Sequence, residues 1–216
     1  MKTVKNGQEK YQAYKQNFSM LNKAMKYHFY LEAVAITYAM MEDRLVSFLH
    51  HAGVVTRDKG DMSINGKVYP QMRELMGKTE TESIRIKNIS VKIEVIQKLL
   101  ELSEEKAAEI DAAAVAKTAH KPKRKRAIED YMQQLRKQVQ ATVDHDNAMD
   151  VLNAVDKWRQ YRNPLIHALM SKTTETSEIT KKICAEEGCD LVRSLDHILV
   201  KDFKKDNQLR KKYNIQ

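Results

Sequence analysis

Glycine and proline are scarce, at six and three residues in a chain of 216. Both fall well below average usage. A chain so poor in turn formers has few places to reverse direction, so long helices are the economical reading. Two cysteines, Cys184 and Cys189, exclude a disulfide framework, and their C-x4-C spacing with no second pair is not a usual zinc arrangement. They read as two reduced cysteines on one helix. No run approaches the roughly 20 apolar residues that span a bilayer. The first ten residues are polar and lack the apolar stretch of a secretory signal. The expected localisation is therefore cytoplasmic, with no membrane partner. There is no phosphate-cradling glycine loop, no G-x-S-x-G and no H-E-x-x-H, so no cofactor and no metal are expected.

What is present is charge and helical periodicity. Charged residues make up 31% and hydrophobic residues 42%, with a net charge of +9, which points to a polyanionic partner. In residues 8–51, Tyr27, Leu31, Val34, Tyr38, Met41, Leu45, Phe48 and Leu49 recur every three or four positions, one apolar helix face. A break falls near Tyr27 to Tyr30, and Gly53 is a stop. Residues 54–78 hold Gly60, Asn65-Gly66, Pro70 and Gly77. Asn65-Gly66 is a hairpin turn signal, so a loop or hairpin insertion is expected here. A second helix is predicted over 81–103, with Ile89, Ile93, Ile96 and Leu100 as its stripe. Residues 104–118 are rich in Ala and Glu and helix-prone.

Residues 119–126 read as a basic linker or helix start, in which Lys121, Lys123, Arg124, Lys125 and Arg126 are candidate RNA-phosphate contacts. A solvated joint is the simpler alternative. Further helices are predicted over 127–142, over the segment capped by residues 144–147, and over 176–202. The last carries the stripe Ile179, Ile183, Leu191, Leu195 and Ile198, weakened at Gly188. Residues 204–216 form a basic tail that should fray. The expected architecture is all-α, one helical bundle over residues 1–216 with an irregular insertion.

Residues 162–167 carry the chemistry. Val151, Val155, Trp158 and Arg162 share one helix face. Pro164 disfavours helical backbone at Asn163, and Asn followed by Pro is a favoured helix start. The helix should thus end near Arg162, and a new one should start at Pro164 with His167 in its first turn. This gathers a guanidinium, an amide and an imidazole at one junction. Arg offers a planar fork for phosphate oxygens, and His exchanges protons near neutral pH. RNA brings its own nucleophile, the 2′-hydroxyl, so its cleavage needs only a base, an acid and charge stabilisation.

Arg162-Asn163-x-x-x-His167 resembles the R-x4-6-H motif of the HEPN superfamily, in which a polar residue commonly follows the Arg. The resemblance implies a helical bundle and a metal-independent endoribonuclease of toxin–antitoxin or abortive-infection type. Arg162 and His167 would be catalytic and Asn163 supporting. It also implies RNA as substrate, a homodimer with a composite site, and an antitoxin or inhibitor protein as a further partner. Some members carry a Tyr two residues after the His; here Leu169 stands at that position. Arg44 to His50 and Arg44 to His51 also match the spacing, but lie in an uninterrupted helix and read as surface or capping residues. The other reading of Arg162 and His167 is a structural pair bracing a helix junction in a non-catalytic RNA- or protein-binding module. A catalytic pair should face solvent; a brace should be buried and mutually satisfied.

Two weaker candidates remain. Asp144-His145-Asp146 suits helix capping better than metal ligation. Tyr27-His28-Phe29-Tyr30 offers rings for stacking on bases, although aromatic residues at such spacing more often belong to a core.

Overall fold

A computed structural model of the chain describes residues 7–58, 61–105, 123–171, 177–205 and 209–213. The fold is all-α. The helices are α1 (Gly7–Lys26), α2 (Tyr30–His51), α3 (Tyr69–Leu75), α4 (Ile89–Glu105), α5 (Lys123–Thr142), α6 (His145–Ser171) and α7 (Glu178–Ser194). Beyond α7 come a π-helical segment, Leu195–Lys201, and the short α8 (Asp202–Lys205) and α9 (Leu209–Lys212). A two-stranded antiparallel hairpin, β1 (Val55–Asp58) and β2 (Asp61–Ile64), follows α2. No helix among the described residues is long and apolar enough to cross a membrane. The chain divides into two compact units: Met1–Arg44 with Asp150–Asp196, and Leu45–Met149 with His197–Gln216.

The expected break between the first two helices falls at residues 27–29, where α1 ends in a Schellman motif. Phe29 N–H donates to the Ala24 carbonyl and His28 N–H to that of Met25. Gly53 ends α2 the same way, through Val54 to Leu49 and Gly53 to His50, and Gly77 ends α3 through Lys78 to Arg73 and Gly77 to Glu74. All three central residues have positive φ, but at the first the residue is His28 (φ 61°), not glycine. A side chain there costs about 1–2 kcal/mol that glycine avoids.

In the first unit, three helices meet where Gly188 leaves room for the Trp158 indole and the Thr37 hydroxyl. Gly188 of α7 is buried, and a Cβ on it would lie 2.8 Å from Trp158 Cζ2 on α6 and 2.9 Å from Thr37 Oγ1 on α2. The Trp158 indole N–H donates to the Cys184 carbonyl at 2.8 Å. The Thr37 hydroxyl folds back onto the Ala33 and Val34 carbonyls, so this buried polar atom is satisfied. The buried face of α7 is Cys184, Ala185, Gly188, Cys189 and Val192. The stripe expected there holds at Leu195, which is buried, but not at its N-terminal end, where Ile179 and Ile183 are exposed and the residues around Gly188 face inward instead. Both cysteines are free and buried.

The second unit packs α4 against α5, with Ile93, Ile96, Leu100, Tyr131, Leu135 and Val139 buried. Arg136 Nε donates to the Leu102 carbonyl at 3.0 Å. Three sequence expectations are corrected here. The hairpin does not turn at Asn65-Gly66: the register Val55↔Ile64 to Asp58↔Asp61 places both after β2. The Asn65 carboxamide instead accepts from Lys67 N–H at 3.0 Å, an Asx turn leading into α3. The helix expected over 81–103 begins only at Ile89, since Thr79 and Glu82 close a local turn and Ile84 N–H is already given to the Tyr69 hydroxyl. The tail is not frayed over 209–213, where Tyr213 docks edge-on to Tyr131 with ring centres 5.6 Å apart and donates its hydroxyl to Asp130.

Gly188→Ala should destabilise the protein by roughly 1–3 kcal/mol, the usual range for overpacking. Gly66→Ala, where nothing lies within 4 Å, should be close to neutral. Urea unfolding of the two variants beside the parent checks this; equal midpoints would show that α7 can move away from Trp158 at no cost.

Candidate functional site

One turn beyond Trp158 on α6 stands Arg162. Its guanidinium carbon lies 4.2 Å from the ring centre of Tyr38, the residue after Thr37 on α2, a distance at which cation and ring attract. Nη1 donates to Asn163 Oδ1 at 3.3 Å, and Nε is buried with no hydrogen-bond partner. The side chain is half-buried, and no carboxylate pairs with it among the described residues. Its neighbour Arg159 differs, being neutralised by Asp156 at 2.8 Å. Arg44 of α2 supplies the sharpest contrast. It too lies over a tyrosine, Tyr14, at 4.0 Å, but it is paired with Asp43 and with Asp196 at 2.8 Å. Burial opposes the Arg44 charge, yet the hydrogen bond to Asp196 and the Asp43 carboxylate outweigh it and raise its pKa. Arg44 is thus a core ion pair rather than the surface or capping residue expected.

Arg162 lowers the pKa of two neighbouring groups against larger opposing effects. Burial raises the Tyr38 phenol and Glu42 adds to this, while Arg162 and Arg159 pull it back. Burial raises the Cys184 thiol to about 11 and Glu187 adds to this, with Arg162 opposing. Arg162 is thus a half-buried cation held by a ring and an amide, with Glu42 and Glu187 acting on the same two groups but not bonded to it.

The helix break expected at Asn163-Pro164 does not occur. α6 runs without interruption from His145 to Ser171 with Pro164 inside it. The ring removes the rung to the Gln160 carbonyl, but long helical stretches lie on both sides, and Trp158 and Leu165 are buried flanking it. Arg162 and His167 therefore share one helix instead of meeting at a junction. Five residues on a regular helix turn through about 140°. Arg162 faces Tyr38, whereas His167 is exposed, and the two share no hydrogen bond. They are neither a mutually satisfied brace nor a contacting pair. Asn163 is half-buried beside Arg162.

Of the basic cluster, Lys121 lies outside the described residues. Lys123, Arg124, Lys125 and Arg126 form the first turn of α5, a helix start instead of a linker, and their side chains lie outside the description. Asp144 caps α6, accepting from Asn147 N–H at 3.2 Å. The residues sequence reasoning missed are Tyr38 and Gly188. Tyr38 had been assigned only to an apolar stripe and Gly188 only to a weak point, and nothing local in either stretch marks it as a neighbour of α6. Protein-family models, curated proteins and solved structures contain no match to this chain.

Burial disfavours both the Cys184 thiolate and the Tyr14 phenolate, the latter raised from 10.0 to about 12. The folded chain therefore keeps protons that the unfolded chain releases, and stability should fall as pH rises above about 9 towards 11 and 12. Urea midpoints should decline across that window, less steeply in Cys184→Ala. Native Cys184 should resist iodoacetamide at pH 8 and react once unfolded, because the thiolate is the nucleophile.

Proposed function

We propose that the chain is a metal-independent endoribonuclease acting on single-stranded RNA through the 2′-hydroxyl, of the HEPN type that residues 162–167 resemble. The observation that supports this best is the Arg162 guanidinium, held by Tyr38 and Asn163 with no bonded carboxylate among the described residues, with an exposed His167 five residues further along the same helix. A preorganised cation with no carboxylate is suited to the charge that grows on phosphate oxygens as the 2′-oxygen attacks. In the reaction, the 2′-oxygen bonds to phosphorus and the bond to the 5′-oxygen breaks. One proton leaves the attacking hydroxyl and another reaches the leaving oxygen, giving a 2′,3′-cyclic phosphate and a 5′-hydroxyl. His167 serves as base or acid, Arg162 stabilises the phosphorane-like charge, and Asn163 orients Arg162 through Oδ1.

The rotation of about 140° between positions 162 and 167 disfavours action by both side chains of one chain on one phosphate. The reaction also requires two proton transfers, and one His167 supplies one titratable group. A two-fold dimer places like residues opposite each other near its axis, bringing two His167 side chains and two Arg162 guanidiniums to one cleft. The biological setting we propose is defence or toxin–antitoxin control, with an inhibitor protein as further partner. Lys121, Lys123, Arg124, Lys125 and Arg126 would contact RNA phosphates.

Purified protein incubated with mixed RNA in EDTA should leave 2′,3′-cyclic phosphate ends. His167→Ala should lower the rate by about 10²–10⁴, the usual contribution of a general acid–base group; a folded His167→Ala protein that cleaves normally would sink the assignment and leave a binding module. Arg162→Lys should be nearly as damaging as Arg162→Ala, because Lys lacks the bidentate fork. Excess His167→Ala chains should poison the parent enzyme, and activity from a species that sediments as a monomer would rule out the composite site. For RNA binding, each phosphate contact removed among residues 123–126 should reduce the log–log salt slope by roughly 0.7.

A further inference from the structure

The elbow between α1 and α2 holds four consecutive rings, Tyr27, His28, Phe29 and Tyr30. Tyr30 is buried, but Tyr27 is 61% and Phe29 59% exposed. The Tyr27 and Phe29 ring centres are 6.4 Å apart at an interplanar angle of 37°. The His28 imidazole stacks on Tyr30, 5.6 Å between centres and nearly parallel at 8°. Lys26 Nζ sits 5.7 Å from the Tyr27 ring centre, and Lys23 joins it in the last turn of α1.

The backbone singles out this elbow. Three helices end in the same hydrogen-bonded motif, and at Gly53 and Gly77 the left-handed position is glycine. At the aromatic elbow it is His28, the one non-glycine residue with positive φ among the described residues. A strained position that keeps a ring where glycine would be more stable points to a use for the ring. The strain also sets Tyr27 and Phe29 on either side of a locked turn, both directed away from the core.

We propose that this elbow is a stacking platform for unpaired bases of single-stranded RNA, with Lys23 and Lys26 meeting the adjacent phosphates. The Tyr27 and Phe29 rings are both exposed, with centres 6.4 Å apart and tilted by 37°, and exposed side chains adjust rotamers freely to meet a base. Base stacking on aromatic rings with basic groups alongside is the usual means of gripping single strands without reading sequence. The net charge of +9 favours a polyanion. A lipid surface fits less well. The other exposed apolar residues of α1, Tyr11 and Met20, are nine positions apart, about 180° around the helix, so they do not form one apolar face along α1. The platform goes beyond the Arg162–His167 reading and shares with it only the choice of RNA.

Fluorescence anisotropy with labelled 12-nucleotide oligo(A) and oligo(U) tests it, using full-length His167→Ala protein in EDTA so that the probe survives. Adding Tyr27→Leu and Phe29→Leu together should weaken binding by at least about five-fold with the melting temperature unchanged. Leu keeps the apolar surface but has no π face, and Tyr27→Trp with Phe29→Trp should restore the affinity. His28→Gly should raise the melting temperature by a few degrees, roughly 2–4 °C per kcal/mol, and yet weaken binding. Unchanged affinity in the double Leu variant or in His28→Gly overturns the proposal. So does a protein that ignores both oligonucleotides or floats with phosphatidylglycerol vesicles instead. Because binding is read without cleavage, failure here and failure of the Arg162–His167 chemistry are separate results.

Discussion

Gly188 has no room for a side chain. Trp158 and Thr37 occupy the space a Cβ would need, and the indole is fixed from the other direction by its hydrogen bond to the Cys184 carbonyl. Three helices are thereby held at a separation set by bare backbone. Their relative rotation is set with it, since a flat indole fits that slot in few orientations. The neighbouring contacts inherit this geometry. One residue after Thr37 comes Tyr38; one turn after Trp158 comes Arg162; one turn before Gly188 comes Cys184. The guanidinium meets the phenol ring, and bears on the thiol, because the turn beside it is locked.

The two tyrosine-stacked arginines of this unit show how much the surrounding charges decide. Arg44 lies over Tyr14 and Arg162 over Tyr38, at nearly equal distances. Around Arg44, two carboxylates take its two terminal nitrogens, while its Nε, like that of Arg162, is buried without a partner. Around Arg162 the same stacking occurs without them. Ring contact restrains a guanidinium but leaves its in-plane N–H groups available. The difference between the two is thus carried by Asp43 and Asp196, which have no bonded counterpart at Arg162 among the described residues.

Long amphipathic helices were legible because the 3.6-residue period needs only the order of residues. The α1–α2 break, the Gly53 stop and the α6 cap were legible for the same local reason. What failed was wherever distant residues overrode a local signal. Asn65-Gly66 is a sound hairpin turn in isolation, yet strand register placed it elsewhere. Pro164 is a sound helix breaker, yet buried neighbours on both sides hold α6 intact. The stripe ending at Leu195 was right there and wrong at Ile179 and Ile183, where the face packed on Trp158 is that of Cys184, Ala185 and Gly188. At the candidate site, Arg162 and Asn163 were readable from the motif, and their relation to His167 was not. Whether five residues fold into a corner or along a helix depends on packing that the motif does not contain.

Pro164 leaves a missing rung in the ladder of α6. The Gln160 carbonyl has no amide opposite it in the chain, so the turns on either side are coupled less tightly than elsewhere along this helix. N-terminal to the gap, Leu152, Val155 and Trp158 bury the helix; between Pro164 and His167 only Leu165 is fully buried. Opening of the turn that bears His167 thus carries a smaller free-energy cost than opening of the turns around Trp158. The two halves of the motif differ in the time domain. Arg162 is held across to α2 by the Tyr38 ring. His167 is exposed beyond the missing rung, where amide protons should exchange through local openings more readily than around Trp158.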